Sequence, residues 1–328
     1  MKLWGVILIL VGLSSCSADN PTAKSIELSV PKGFSIPIIP EQNPITSEKI
    51  ALGKKLFFDS RLSKNNNISC GTCHLPEFAF SDTVAVSVGT NGELGFRNTP
   101  SLINIAYKTL FHMDGGVRTL ELQTLAPIID TNELGGDFSK ILNTLNTDTF
   151  YLKLFKNAFD TLPSVYGITR ALASYERSLI GGNSNYDFYR NGNLEALSES
   201  QLRGLALFNS NRLNCNSCHS GVLFTNYTYQ NVGMEEQFSD SGRARITYLH
   251  DDAGKFVVPS LRNIARTAPY MHNGSIANLT EVITYFERGG GNHWNKSKLI
   301  KSFTLSVSER EDLIHFLESL SDTISITY

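Results

Sequence analysis

Apolar residues recur at helical intervals through most of this chain. Two stripes have members three or four residues apart, which places each stripe on one face of a helix. The first consists of Ile168, Leu172, Tyr175 and Leu179. The second consists of Leu313, Phe316, Leu317 and Leu320. Candidate strands are short and confined to 84–88 and 256–258, so the pattern predicts a mainly α protein without a large sheet.

Polar residues indicate where several helices begin. Thr46 or Ser47 precedes an apolar segment that ends at Phe58, and either side chain is suited to cap the first helix. Residues 17–44 contain five prolines and are predicted to form an extended tether. The spacing of a capping box occurs twice. The two pairs are Ser198 with Gln201 and Ser306 with Glu309.

The chain contains an internal repeat with an offset of 159 residues. Pro-Ser-Leu-Ile-Asn-Ile-Ala at 100–106 recurs as Pro-Ser-Leu-Arg-Asn-Ile-Ala at 259–265. Further matches are Asp114-Gly115 with Asn273-Gly274, Leu120 with Leu279, and, at a slightly different offset, Gly53-x-x-Leu-Phe with Gly204-x-x-Leu-Phe. We therefore expect two homologous domains related by a pseudo-twofold axis, the first over residues 45–185 and the second over 186–328.

The N-terminus has the features of an export signal. Lys2 precedes an apolar run over 3–13, which is shorter than the roughly 20 residues of a membrane-spanning helix. The run is followed by Ser-Ser-Cys16, a pattern typical of bacterial lipoprotein signals. Residues 1–16 are thus predicted to be a lipoprotein signal that ends at Cys16. Acylated Cys16 would anchor an exported protein to a bacterial membrane, on the periplasmic or cell-surface side. A plain secretory signal with an incidental cysteine is the alternative.

Composition excludes one class of partner. The chain has 29 basic and 31 acidic residues and no run of Lys or Arg, so a nucleic-acid partner is not expected. Its 328 residues are enough for one large or two medium domains, and the apolar fraction of 41% allows a substantial core.

Two short motifs carry the candidate chemistry. Each has the sequence C-x-x-C-H, the pattern of c-type haem attachment, in which two thiols form thioethers to one porphyrin and the His faces the iron. With Cys16 assigned to the signal, no cysteine remains for a disulfide. Two covalently bound haem c groups are the prediction, and a zinc site or a redox dithiol is the alternative. The motifs are Cys70-Gly-Thr-Cys73-His74 and Cys215-Asn-Ser-Cys218-His219.

With these motifs the chain resembles the bacterial di-haem cytochrome c peroxidases, in a wider family that includes the tryptophylquinone-forming di-haem oxidases. The resemblance extends from about residue 45 to the C-terminus. It implies a mainly α fold of two cytochrome c-like haem domains. Besides the haem motifs, it is carried by Leu-Gly-Lys-Lys-Leu-Phe-Phe-Asp at 52–59, Arg-Asn-Thr-Pro-Ser-Leu at 97–102, Arg-Ala-Leu-Ala-Ser-Tyr-Glu-Arg-Ser-Leu at 170–179 and Thr-Ala-Pro-Tyr-Met-His at 267–272.

The resemblance implies different roles for the two haems. The haem on His74 would reduce hydrogen peroxide, with Gln123 and Glu133 above it at the spacing of the family's distal Gln and Glu. Glu133 would move a proton between the two peroxide oxygens, and Gln123 would orient the peroxide. Electrons would enter through the haem on His219 from a small cytochrome c or cupredoxin. An ordinary solvated loop carboxylate is the alternative for Glu133.

Three departures from the family pattern modify these expectations. No His lies between His74 and His112, where some members carry one that blocks the iron, so the first haem is predicted to be five-coordinate. Met113 replaces the family's Trp between the haems, which argues against fast electron hopping and against a side-chain oxidase. Phe286 stands where the sixth ligand of the second haem is expected. Candidate replacements are Tyr285, Met271, His272 and His293, or the iron is five-coordinate.

The resemblance also implies an ion and partners. A calcium ion between the domains would be bound by Asn98 and by the backbone carbonyls of Thr267 and Pro269. Expected partners are hydrogen peroxide, a small electron-donor protein and a membrane reached through the lipid anchor alone; a homodimer is compatible with the sequence. The expected activity is that of a cytochrome-c peroxidase. The alternatives are a di-haem oxidase of a protein side chain and a di-haem electron carrier.

Overall fold

The computed structural model describes residues 24–234 and 239–322. The predicted signal peptide, Cys16 and the start of the tether lie outside the described residues. The mainly α prediction is confirmed, whereas the strand expected at 84–88 is a loop with one isolated bridge, between Val88 and Leu94.

The α-helices are α1 (Ser47–Phe57), α2 (Cys70–Cys73), α3 (Leu120–Ile129), α4 (Phe138–Thr147), α5 (Thr149–Phe159), α6 (Val165–Ser178), α7 (Asn185–Arg190), α8 (Glu199–Phe208), α9 (Ala244–Thr247), α10 (Leu279–Glu287) and α11 (Val307–Glu318). The strands β1 (Tyr229–Gln230) and β2 (Phe256–Val257) pair antiparallel. Short 3-10 helices lie at Ser60–Leu62, Pro76–Phe78, Ile105–Tyr107, Leu194–Ala196, Cys215–Ser217, His250–Asp252 and Ile264–Arg266.

The predicted helix starts are confirmed. The Thr46 hydroxyl caps α1 by accepting a hydrogen bond from the Lys49 amide at 3.2 Å. Both predicted capping boxes are present, at the start of α8 and at the start of α11. The two apolar stripes are buried, the first along α6 and the second along and just beyond α11.

Each half of the molecule is built on one close crossing of two helices. Gly53 of α1 lies so near α6 that a Cβ there would be 1.9 Å from the Ala171 carbonyl oxygen. Gly204 of α8 has the same relation to α11, where a Cβ would be 1.9 Å from the Asp312 carbonyl oxygen. Because only glycine allows these approaches, the repeated Gly-x-x-Leu-Phe marks equivalent crossings. A separate cluster of buried apolar residues surrounds each crossing.

The sequence repeat corresponds to a pseudo-twofold contact between the halves. The Asn98 amide donates to the His272 carbonyl at 2.8 Å, and the Val257 amide donates to the Met113 carbonyl at 2.7 Å. The two donors, Asn98 and Val257, are 159 residues apart in the chain. The two acceptors, Met113 and His272, are also 159 residues apart. The bridges Phe111–Val117 and Tyr270–Ile276, and the first residues of α3 and α10, obey the same offset. The predicted internal repeat is thus confirmed in three dimensions.

A network of ion pairs reinforces this contact. Asp114 is fully buried and accepts hydrogen bonds from Arg97 at 2.8 Å and from Arg245 at 2.5 Å. Arg97 also pairs with Asp240 at 2.6 Å. Burial alone would raise the pKa of Asp114, but Arg97 and Arg245 hold it below its usual value. Charged groups from both halves therefore meet beside the Asp-Gly turn.

The described part of the predicted tether is extended and packs against the body of the molecule. Phe34 is buried, and the Arg262 guanidinium lies 4.7 Å from the centre of its ring. The Tyr107 hydroxyl donates to the Ser35 carbonyl at 2.9 Å. Over 24–234 and 239–322, no helix combines the length and apolar character needed to cross a bilayer.

Candidate haem sites

The first C-x-x-C-H motif forms a single helical turn. Cys70 begins α2, and the His74 amide donates to the Cys70 carbonyl at 2.9 Å, so the two cysteines and the histidine belong to one turn. The His74 Nδ1 atom lies 2.8 Å from the Phe80 carbonyl oxygen. A carbonyl at this position accepts a hydrogen bond from Nδ1–H and leaves Nε2 as the metal-binding nitrogen. Nε2 of His74 is therefore the atom that would bind the haem iron.

The second motif repeats this arrangement. The His219 amide donates to the Cys215 carbonyl at 2.9 Å, and His219 Nδ1 lies 3.1 Å from the carbonyl oxygens of Phe224 and Pro259. Cys215, Cys218 and His219 line a cavity of about 390 Å³. This volume is in the range of cofactor pockets.

The ionisation of the motif residues also fits covalent haem. Burial raises the pKa of the Cys70 and Cys215 thiols, so both are neutral, and it lowers the pKa of His74 and His219, so both rings are free to bind iron. The four thiols are not joined in disulfides. Zinc would instead require thiolates and a compact ligand group. Among the described residues, no three His, Cys, Asp or Glu side chains form such a group.

Glu133 lies in the turn that follows α3 and faces the first motif. Its negative charge is close enough to Cys70 and Cys73 to raise the pKa of both thiols. The side chain reaches the surface, yet the loss of hydration around the carboxyl, with a smaller contribution from Asp130, raises the pKa of Glu133 to about 7. A carboxyl with this pKa can accept and release a proton near neutral pH.

Gln123 lies in the middle of α3, ten residues before Glu133. Its Oε1 atom is buried and accepts no hydrogen bond from the residues that the structure describes. A buried amide oxygen in this condition is suited to a ligand that supplies a donor. Gln123 thus has a free polar atom where the resemblance places a peroxide-binding residue.

Two titratable residues near the sites were not identified from the sequence. Glu176 of α6 is buried, and the loss of hydration raises its pKa to about 8 despite the neighbouring Arg177. Its charge also raises the pKa of Cys70, so Glu176 lies close to the first motif. Lys108 lines the cavity of the second motif, where burial lowers its pKa to about 8. A charged residue between the apolar positions of α6 was the available signal for Glu176.

The candidate sixth ligands of the second haem lie in different surroundings. Phe286, Met271 and His272 line the cavity together with His219. The Tyr285 hydroxyl instead donates to the Val232 carbonyl at 2.7 Å and accepts from the Gly291 amide at 2.8 Å. Tyr285 is not among the residues that line the cavity, and neither is His293.

The residues predicted to bind calcium and to separate the haems share this cavity. Asn98, Thr267 and Pro269 all line it. The side-chain nitrogen of Asn98 donates to the carbonyls of Val84 and Ala85, at 3.2 and 3.1 Å, which leaves its side-chain oxygen, Oδ1, for another partner. Met113 also lines the cavity, near a stacked ring pair formed by Phe256 and His272, whose centres are 4.1 Å apart.

Comparison with known proteins agrees with this geometry. The family model described as di-haem cytochrome c peroxidase matches residues 47–195. The chain is 35% identical to the cytochrome-c peroxidase IdrP1 of Pseudomonas sp. (strain SCT), over 86% of this chain and 83% of that protein. It is 37% identical to the methylamine utilization protein MauG of Methylophilus methylotrophus, over 95% of this chain and 92% of that one.

A solved structure extends the similarity to three dimensions. It is described as a MauG-like protein associated with microbial copper homeostasis, and it superposes with a TM-score of 0.86 at 33% identity, covering 91% of this chain and 96% of that one. The similarity runs through both halves and both motifs. The chain therefore belongs to the di-haem cytochrome c peroxidase family, which includes MauG-like oxidases, and its two C-x-x-C-H motifs fit the two haem c groups that this family implies.

Proposed function

We propose that the protein reduces hydrogen peroxide to water at the haem on His74, with electrons that enter singly through the haem on His219. The observation that carries the proposal is Glu133, a carboxyl with a pKa near 7 that faces the first motif. An electron carrier has no need of such a group. The relatives named cytochrome-c peroxidase support the same conclusion.

Haem iron, when bound, supplies the electrons that split the O–O bond. The protein supplies the proton movement. Glu133 would accept a proton from one peroxide oxygen and return it to the other, which would then leave as water. The overall reaction consumes two electrons and two protons for each peroxide and yields two water molecules. Gln123 Oε1 holds the peroxide by accepting a hydrogen bond from it.

Replacement of Glu133 tests the proposal. We expect Glu133→Gln to lower peroxide turnover in the haem-loaded protein by about 10² to 10⁴-fold, the usual contribution of a general acid–base residue. Glu93→Gln is the matched control, because Glu93 is an exposed carboxylate on the adjacent loop. Turnover that is equally high in Glu133→Gln and in the control contradicts the proposal.

The absence of a His between His74 and His112 supports a first haem that is open to peroxide without prior reduction. We propose that this haem is five-coordinate in the oxidised protein. An electron paramagnetic resonance spectrum that is wholly low-spin at both irons contradicts this assignment.

The second candidate function is the oxidation of a protein side chain. Its support is the identity of 37% to a protein named methylamine utilization protein MauG and the close superposition on a MauG-like protein. Met113, in the place of the family's Trp, argues against it, since a thioether is harder to oxidise than an indole. A change in mass of a co-purified protein after addition of peroxide is the measurement that favours the oxidase.

Calcium, anchoring and assembly complete the proposal. Asn98 Oδ1 and the Thr267 and Pro269 carbonyls, all hard oxygen donors at one cavity, support a calcium site between the halves. Acylated Cys16 would hold the protein at a bacterial membrane on its exported side, and a homodimer is compatible with this arrangement.

A further inference from the structure

We propose that the surface around Trp294 is the docking site of a small electron-donor protein whose contacting face is acidic. The inference rests on the proposed function, because the donor would serve the haem on His219. We call this surface the Trp294 face. It consists of Tyr248, Leu249, Trp294, Lys298, Leu299 and Lys301.

Large apolar side chains are exposed on the Trp294 face. Trp294 is 58% exposed, Tyr248 is 90% exposed and Leu249 is 60% exposed. One face of the Trp294 ring stacks on His250, with ring centres 4.2 Å apart and planes within 16°. Exposed aromatic groups held in this way are typical of protein interaction sites, because burying them on contact is favourable.

The two segments that form the face are fixed to each other. The Asn295 side-chain amide donates to the carbonyls of Asp251 and Ala253, both at 2.8 Å. These bonds hold the loop with Tyr248 and Leu249 beside Trp294. A surface with little freedom loses little conformational entropy when a partner binds.

The Trp294 face lies next to the second haem motif. The Asn214 side-chain amide donates to the Leu299 carbonyl at 2.9 Å, and Asn214 directly precedes Cys215. Leu299 and Lys301 line the same cavity as Cys215 and His219. A redox protein seated here would therefore lie beside Cys215 and His219, the residues that would hold the second haem.

The charge of the face indicates what kind of protein it binds. Lys298 and Lys301 flank Leu299, and neither forms an ion pair with any residue in 24–234 or 239–322. Glu287 contacts the segment that follows Lys301 through its carbonyl and its carboxylate. Its carboxylate is also paired with Arg310 at 2.5 Å, so it does not offset the charge of the lysines. Asp251, beyond His250, is an exposed carboxylate at the edge of the face. An apolar centre flanked by unpaired lysines complements a donor with acidic groups around its exposed cofactor edge.

Binding of two redox proteins of opposite charge tests the inference. The haem-loaded, oxidised protein is immobilised, and surface plasmon resonance measures its affinity for an acidic cupredoxin and for a basic cytochrome c. We expect the acidic cupredoxin to bind more tightly, and its affinity to fall at least about tenfold between about 10 mM and 200 mM salt, because exposed charges are screened. Tighter binding of the basic cytochrome c overturns the proposal.

Variants locate the site. We expect Lys298→Glu with Lys301→Glu, and separately Trp294→Ala, to weaken the cupredoxin by about tenfold or more. The matched control is Lys140→Glu with Lys153→Glu, which makes the same charge change on α4 and α5 of the first half. An equal loss in the control overturns the proposal. So does a result in which the Trp294-face variants change only self-association in sedimentation, since the face would then join two copies of the chain.

A small-molecule reductant separates this inference from the proposed function. Peroxide consumption with that reductant needs no docking surface. Normal consumption without cupredoxin binding overturns the docking site alone, whereas cupredoxin binding without peroxide consumption overturns the proposed function alone.

Discussion

At the scale of single residues, a tight turn brings Asp130 and Glu133 together. The Glu133 amide donates to the Asp130 carbonyl at 3.1 Å, and the Asp130 carboxylate is fixed by the Asn132 amide at 2.8 Å. The Thr90 amide holds the Glu133 carbonyl at 2.8 Å from the other side. Lys64 packs beside this turn at Gly135. The turn thus places a fixed negative charge near the carboxyl that we assign to proton transfer.

Asp130 is expected to shift the pH dependence of turnover. Glu133 must be ionised to accept the first proton, so activity rises as pH passes through its pKa of about 7. Asp130→Asn removes a like charge and lowers the pKa of Glu133, which moves this rise to lower pH, by on the order of half a unit because Asp130 is exposed and screened. The pKa of Glu133 should still lie above its ordinary value in this variant, because burial raises it more than Asp130 does. Peroxide turnover between pH 5 and pH 9 measures the shift.

The control for this variant is Glu77→Gln, which removes an exposed carboxylate next to the first motif but outside the turn. We expect its profile to match that of the unmodified protein. An unchanged profile in Asp130→Asn shows that Asp130 does not act on Glu133.

Tyr285 is expected to have no role in haem ligation. Its hydroxyl is already engaged by Val232 and Gly291, outside the cavity of the second haem. Tyr285→Phe should therefore leave the absorption spectrum of the oxidised second haem unchanged and cost about 1 kcal/mol of stability for the lost hydrogen bonds. Phe286→Met, which puts a thioether into that cavity, is the comparison that should alter the spectrum. A spectral change in Tyr285→Phe would restore Tyr285 as the sixth ligand.

At the scale of elements, the two helix crossings determine stability. A Cβ at Gly53 or at Gly204 would meet a backbone carbonyl of the facing helix, and backbone cannot move aside as a flexible side chain can. We expect Gly53→Ala and Gly204→Ala each to cost at least the roughly 1–3 kcal/mol of ordinary overpacking. Gly95→Ala is the control, because the nearest atom to its Cβ would be at 3.4 Å, an ordinary contact. Thermal unfolding of the haem-loaded variants measures the difference.

The sequence predicts elements better than it predicts their surroundings. Gly53, Gly204 and the two Pro-Ser-Leu segments identified the repeat, because a close crossing and a tight turn each demand particular residue types. The prediction of a strand at 84–88 is wrong because Val84 and Val88 are exposed to solvent in a loop. Contacts of Asn98 and Gly89 hold this loop in place, and no neighbouring strand pairs with it in the described residues. The burial of Glu176 could not be predicted from the sequence, because the burial of a helix face depends on which other elements pack against it. The packing of Tyr285 away from the cavity is likewise set by the distant Val232 and Gly291.

At the scale of the whole molecule, the buried Asp114 holds the two halves together. Asp114→Asn removes the charge that Arg97 and Arg245 pair with, and breaking a buried pair of this kind costs up to about 3–5 kcal/mol. We expect a lower unfolding temperature and a broader transition as the halves become less tightly coupled. Asp160→Asn, which removes an exposed pair with Lys156, should cost less than about 1 kcal/mol. Calorimetry of both variants decides whether Asp114 couples the halves.

The two backbone bonds that join the halves run from Asn98 to His272 and from Val257 to Met113. A contact in which each side offers the same donor and the same acceptor is isologous, the geometry of a symmetric homodimer. The contact between the halves therefore has the geometry of a dimer interface, although one chain supplies both sides. Because the halves are parts of one chain, equivalent positions need not carry the same residue. Met113 and His272 occupy equivalent positions in these bonds and differ in side chain.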